Sequence, residues 1–411
     1  MNQQRLLERF LRYVQIDTTA RSEAEGYPSS PGQLELGGLL VRELRDAGVA
    51  DARQDEFGIV SASIPPSLDR EAPVVAFCAH LDTSPETSGA GVKPLVVRGY
   101  GGGDLVLPGS PDRVIRPAEH LELNELVGAT IITSDGTTLL GADDKAGVAV
   151  IMEAAAWLIE HPEIPHGRVR LCFTCDEEIG RGVDHLSPAG VGATVCYTLD
   201  GQGADAIDVE TFSADLATVT IRGVNVHPGI AKGRMVNAVR VAGDLLSRLP
   251  RRGASPETTE GREGFLHPYQ ARGGVAEFTM QILLRDFQAA ALDRWAGILH
   301  EAASASMVEY PGSTVDVSVN PQYRNMAEGL AREPRAVLYA QQALERLGRS
   351  VRLTTVRGGT DGSRLTERGL PSPNLATGQH SPHSPLEWAC LEEMVLAVQW
   401  LLAILAVWAE G

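Results

Sequence analysis

At four places a strand-like run of this 411-residue chain ends in an acid or a histidine. The run 74–79 is followed by His80, with Asp82 two residues on, and 168–174 by Asp176, Glu177 and Glu178. The run 194–199 ends in Asp200, and the heptapeptide GADDKAG, 141–147, holds Asp143 and Asp144. A later stretch, GQHSPHSPLEW, adds His380 and His383. A solvated acidic turn explains any one of these, but four call for a common cause. The candidate ligands are His80, Asp143, Glu178, Asp200 and one of His380 or His383. Imidazole and carboxylate without thiolate suit zinc, cobalt or manganese in a catalytic site. A single carboxylate can bridge two cations, and Asp143 is the natural candidate. Two cations roughly 3.5–4 Å apart can clamp a water and polarise a carbonyl together. Asp82 has the spacing either to fix the His80 tautomer or merely to form a turn. Glu177 and Glu178 are neighbours pointing opposite ways in extended chain, so one can ligate while the other acts as general base. His227, in VNVHPGIAKGRMVNA, is either a turn residue before proline or a donor to an oxyanion from a closing lid. No G-x-S-x-G elbow is present, which disfavours a serine hydrolase.

Positioning such groups takes an α/β framework. Val148, Ile151, Met152, Ala155 and Leu158 form one apolar stripe, so a helix is expected over 145–159, opening on the paired aspartates. The run 74–79 is of the kind buried in a parallel sheet, and polar groups placed after such strands are how open α/β sheets expose a site. Residues 131–133 and 137–140 read as a hairpin about Asp135-Gly136, and 89–128 as a long flexible loop with the glycine cluster GYGGGD. From about Thr211 the pattern changes to alternating strands (217–221, 275–285, 314–319) with helices at 237–249 and 292–305. This implies an inserted α+β sandwich, with 253–263 as a mobile loop inside it. The expected division is a first domain over 1–211 and 325–411 and an inserted one over 212–324.

Net charge is −17 with no Lys/Arg-rich block, which argues against a nucleic-acid or anionic-membrane partner. Five cysteines, mostly within strand-like runs, read as buried free thiols of a reducing compartment. Cys172 and Cys175 lie three apart in a strand pattern and so point to opposite faces. The first fourteen residues read as an amphipathic helix with spread charges rather than a signal peptide, and cytoplasm is the expected location. The apolar run 394–409 reads as too short to span a bilayer and so as a buried packing helix.

Ordered stretches carry a resemblance: AHLDTSPE (79–86), LLGADDKAG (139–147), DEEIGRG (176–182), YTLDG (197–201), NVHPGIAKGRMVNA (225–238), SPETTEGREGF (255–265), RDF (285–287) and RGGTDGSRL (357–365). Together they resemble the cocatalytic-zinc exopeptidases, the family that includes aminoacylase and carboxypeptidase G. SPETTEG and HPGIAKG are similar to its tripeptide-aminopeptidase branch. The resemblance implies a catalytic domain with a mixed central sheet flanked by helices, and an inserted α+β lid. It implies two Zn2+ per subunit, with Co2+ or Mn2+ as substitutes. One ion would be held by His80 and Asp200, the other by Glu178 and the C-terminal histidine, and Asp143 would bridge them. Glu177 would be the base, Asp82 would orient His80, and His227 would come from the lid. Asn237, Arg285 and Gly359 would bind a small peptide substrate, the Asp143–Asp144 peptide would be cis, and a homodimer would form through the lid. The family has a segment like YHGKHEF where this chain has SPHSPLEW. Counting back from Glu387 and Met394 places the ligand at His383, puts Leu386 where the family has a second histidine, and leaves His380 as a loop residue. The same chemistry would also serve N-acyl amino acids or dipeptides, and an inactive metal-binding scaffold is the contrasting expectation.

Overall fold

The computed structural model describes residues 1–411, which form two compact units. The first comprises 1–209, 326–354 and 360–411, and the second 210–325 with 355–359.

In the first unit an 11-stranded mixed sheet forms the backbone of the fold. At its centre Val169–Thr174, Val75–His80, Val195–Gln202 and Asn374–His380 lie side by side and parallel. Every residue of Val75–His80 is buried, as its nearly continuous apolar sequence requires. The helix Ala142–Glu160 packs on this sheet and is buried on almost every side rather than along one stripe. Gly147 allows its close approach, since a Cβ there would lie 1.9 Å from the carbonyl oxygen of Leu199. Gln3–Val14 crosses the same helix, and Arg5 and Arg9 both reach its fully buried Glu153 at 2.7 Å. This satisfies a carboxylate that would be costly to bury alone.

Several expected elements differ. Residues 137–140 form no strand: the Asp135 carboxylate turns back onto the Thr137 N–H (2.9 Å) and hydroxyl (2.5 Å). Ile131–Thr133 pairs instead with Leu95–Val97 and Trp388–Cys390. The supposed loop 89–128 contains that first partner and a small ribbon of Leu105–Val106 with Val114–Ile115. The C-terminal helix, Leu391–Glu410, has 20 residues and is by length and composition able to cross a membrane, so the run is not too short. Here it packs against Ala142–Glu160 and Arg335–Arg346, burying Trp400, Leu401, Ile404, Leu405 and Trp408. All five cysteines are free and buried.

The second unit is a four-stranded antiparallel sheet, ordered Phe265–Gly273, Glu277–Asp286, Ser213–Arg222, Thr314–Tyr323. Helices Ala238–Arg248 and Ala289–Glu309 pack on it. Residues 253–263 are tied down rather than loose. The Thr259 hydroxyl donates to the Ser255 carbonyl (2.8 Å), and Arg357 donates to the carbonyls of Gly261 and Glu263, both at 2.9 Å.

Because Leu401 is fully buried in this core, Leu401→Ala should cost about 2–5 kcal/mol. The check is urea denaturation, with a lower midpoint and an unchanged slope.

Candidate active site

His80 closes its strand, Asp200 lies in the neighbouring one, and Glu177 and Glu178 follow the next. All therefore emerge at the carboxyl edge of the parallel core, where α/β sheets display their polar groups. Asp143 arrives from the opening of Ala142–Glu160, where Asp143 and Asp144 depart from helical dihedrals and the peptide between them is cis.

Asp143 offers one oxygen to each side of the site. Its Oδ1 lies 3.0 Å from His80 Nε2, which is in turn 3.7 Å from Asp200 Oδ1. Its Oδ2 lies 3.2 Å from His383 Nε2, which is 2.9 Å from Glu178 Oε2. Around a tetrahedral ion with ligands at 2.0–2.2 Å, neighbouring donor atoms are about 3.4 Å apart, so these spacings fit two cations. Glu178 Oε1 supports the fit, being buried with no hydrogen-bond partner in the protein. Asp144 is also within reach of His80 and Asp200. Its oxygens also accept backbone N–H groups, of His80 at 3.0 Å and Gly147 at 3.2 Å, which brace the start of the helix.

Protons compete with cations for these atoms. Burial opposes a charge on His80, but its bonds to Asp143, Asp200 and Asp82 prevail and hold its pKa well above the ordinary value. His383 is raised to about 11 by Asp143 and Glu178, again against burial. Burial and the nearby Asp143 charge push Asp200 up to about 7 and Glu178 to about 8. Glu177 is half-buried as a residue, yet its carboxyl is enclosed by protein. Burial, together with Asp361 and Asp200, raises it well above the carboxylate range.

Asp82, fully buried, holds both glutamates by their backbone. Its two oxygens accept the N–H groups of Glu177 and Glu178, each at 3.0 Å, while His80 Nδ1 lies 3.4 Å from Oδ1.

The peptidase family M20/M25/M40 matches residues 135–407 of this chain. Peptidase T of Bacillus subtilis is 41% identical over 399 residues, 97% of each chain. The chain belongs to this family, in its peptidase T branch. It is therefore a hydrolase of peptide bonds. An aminopeptidase PepT structure from Bacillus cereus superimposes with a TM-score of 0.76 at 26% identity, covering 100% of this chain and 99% of that one. A Bacillus subtilis structure described as a dinuclear metal-binding peptidase of family M20 shares the fold, with a TM-score of 0.66, 16% identity, and coverage of 100% and 98%.

Of the two late histidines of this M20 peptidase, it is His383 that faces Asp143 and Glu178. Its φ of 61° lies in the left-handed region, costly for a side-chain-bearing residue, and the Thr87 hydroxyl holds its carbonyl at 2.7 Å. His380 is not a loop residue but the last residue of the strand Asn374–His380, and it is buried elsewhere: Nε2 lies 2.6 Å from Glu393, Nδ1 3.6 Å from Glu122, and the ring stacks on Trp388 at 3.7 Å.

The remaining candidates belong to the second unit. His227 is exposed and its Nδ1 accepts from the Gly229 N–H at 3.1 Å, which places the neutral ring's proton on Nε2. Asn237 caps its helix by accepting from the Val239 N–H at 2.9 Å. Arg285 donates to the Asp215 and Leu284 carbonyls and lies over the Tyr323 ring, against which Gly359 also packs.

Two supports carry no signal in the sequence pattern. Glu387 is buried and accepts the N–H groups of Leu140 (2.7 Å), Gly141 (2.7 Å) and Asp143 (2.9 Å). Gln379 donates to Asp200, at 2.9 Å to the carbonyl and 3.2 Å to Oδ1. A glutamate after a proline-rich turn carries no local signal of either duty.

Glu387→Ala should therefore weaken divalent-ion binding about 10- to 100-fold, as read by calorimetric titration of the chelator-treated protein. His380 supplies a pH prediction. Burial opposes its charge, but Glu122 and Glu393 outweigh burial and raise its pKa. Its contribution to stability is thus complete below the ordinary value of about 6.5 and is lost as pH rises through the folded-state pKa. Denaturant unfolding should show the gap between wild type and His380→Gln widest in acid and narrowing in alkali.

Proposed function

We propose that this chain is a dinuclear-zinc aminopeptidase that releases the N-terminal residue of tripeptides. The observation that carries the reading is Asp143, whose two carboxylate oxygens each face a separate histidine–carboxylate pair. On this reading His80 and Asp200 hold one ion, Glu178 and His383 the other, and Asp143 both. Two bound ions would supply Lewis acidity, acidifying the attacking water and polarising the scissile carbonyl. The high relatives named peptidase T support the tripeptide assignment.

Glu177 takes a proton from the attacking water and returns it to the leaving amine. Asp82 keeps the Glu177 and Glu178 backbones fixed while the proton moves. His227, with its Nε2–H available, is the proposed donor to the oxyanion. Arg285, Asn237 and Gly359 are the proposed substrate-binding positions. The reading includes a cytoplasmic location, supported by five buried free thiols, and a homodimer through a sheet edge of the second unit.

Glu177→Gln should keep its full metal content by atomic emission while kcat falls about 10²- to 10⁴-fold. Free tripeptides should be cleaved and N-acetylated ones resist. Faster turnover of N-acyl amino acids than of tripeptides would replace the substrate assignment.

A further inference from the structure

RGGTDGSRL resembles a substrate-binding turn, but within the first unit the side chains after Gly359 have other partners. Thr360 and Ser363 form a reciprocal capping box that starts the helix Asp361–Glu367. Asp361 is 6% exposed, and its Oδ2 accepts from the Thr174 hydroxyl at 2.6 Å. Thr174 is the last residue of the strand that leads to Glu177. On the far side of the same loop, the Gly182 backbone lies so close that a Cβ there would meet Asp361 Oδ1 at 2.0 Å. One turn along, the Arg364 guanidinium donates to the Gly180 carbonyl and, at 3.1 Å, to Asp184. Just past the helix, Arg368 donates to the carbonyls of Val183 and Leu186.

Loop 175–186 is thus held at its entry, its middle and its exit by one short helix. Its own bonds transmit that grip, since the Gly180 N–H donates to the Glu177 carbonyl at 2.7 Å. From the opposite side Asp176, at φ 62°, is anchored by the Ser29 N–H and the Gln33 amide, both at 2.7 Å. The loop has no regular structure beyond a three-residue 3-10 turn. These outside contacts therefore fix where the Glu177 carboxyl sits.

We infer that Asp361 and Arg364 are positioning residues for Glu177, acting through loop 175–186 rather than by touching substrate. This rests on Glu177 being the base, as proposed above. A base misplaced by about 1 Å can cost on the order of 100-fold in rate, while substrate affinity and metal binding need not change.

The test uses the full-length, zinc-loaded protein and a tripeptide substrate, with kcat, KM, metal content and melting temperature read together. Arg364→Ala, at a partly exposed site, should lower kcat about 10- to 100-fold with KM within about twofold and both ions retained. Asp361→Ala should do the same, and Asp361→Asn, which keeps an oxygen for Thr174, should recover most of the loss. In a Glu177→Gln background, Arg364→Ala should change the residual rate little, since residues that act as one unit are non-additive. A rise in KM at constant kcat would make these residues substrate contacts and overturn the inference. So would loss of metal in parallel with kcat, or an Arg364→Ala effect of equal size in both backgrounds. If Glu177→Gln is itself active, the base assignment fails. If it is inactive and Arg364→Ala is not impaired, only the positioning role fails.

Discussion

A single carboxylate facing two ways is the constraint on which the site depends. Asp143 can present Oδ1 to His80 and Oδ2 to His383 only if its backbone is held by something else. Three N–H groups around it are given to Glu387, and the adjacent Asp144 takes the His80 N–H, so neither competes for the two oxygens that face the histidines. Crowding acids together is costly, because each disfavours ionisation of the next. The raised pKa values of Asp200 and Glu178 record that cost, and positive charge placed among them is what relieves it.

Much of the support comes from one stretch late in the chain. Asn374 accepts the Asp200 N–H at 3.0 Å, Gln379 holds the Asp200 carbonyl and carboxylate, His383 completes the second donor pair, and Glu387 grips the Asp143 loop. The strands Asn374–His380 and Trp388–Cys390 that bracket this segment are antiparallel partners within the central sheet. Errors in its placement would therefore be felt on both sides of Asp143 at once.

The legible parts of the sequence were those where chemistry and periodicity coincide. His80, Glu178 and Asp200 lie at or just after the ends of apolar strand runs, Asp143 opens an apolar helix, and the structure gathers them. The choice of His383 over His380 was not decidable from local pattern. His380 ends the strand Asn374–His380 and His383 lies three residues beyond it, and only tertiary contacts send His380 to Glu393 and Trp388. The false hairpin at 131–140 arose because Asp-Gly signals a turn without saying which strand lies opposite, and here the partner is Leu95–Val97. Phe265–Gly273 went unseen because this mostly exposed strand has proline and arginine where alternation would show. The apolar run 394–409, interrupted at Gln399, falls short of the full helix Leu391–Glu410, whose first turn carries Glu392 and Glu393. Loop 253–263 looked mobile by composition, yet Arg357 fixes it through carbonyls that any sequence would possess.

The wide separation of His80 and His383 along the chain has a consequence for biosynthesis. A polypeptide leaving the ribosome carries Asp143, Glu177 and Glu178 long before His383 and Glu387 have been made. Until they arrive, the donor pair beside Glu178 is missing its imidazole and the Asp143 loop lacks its buried anchor. The arrangement around Asp143 is thus completed only once the last stretch of the chain is in place.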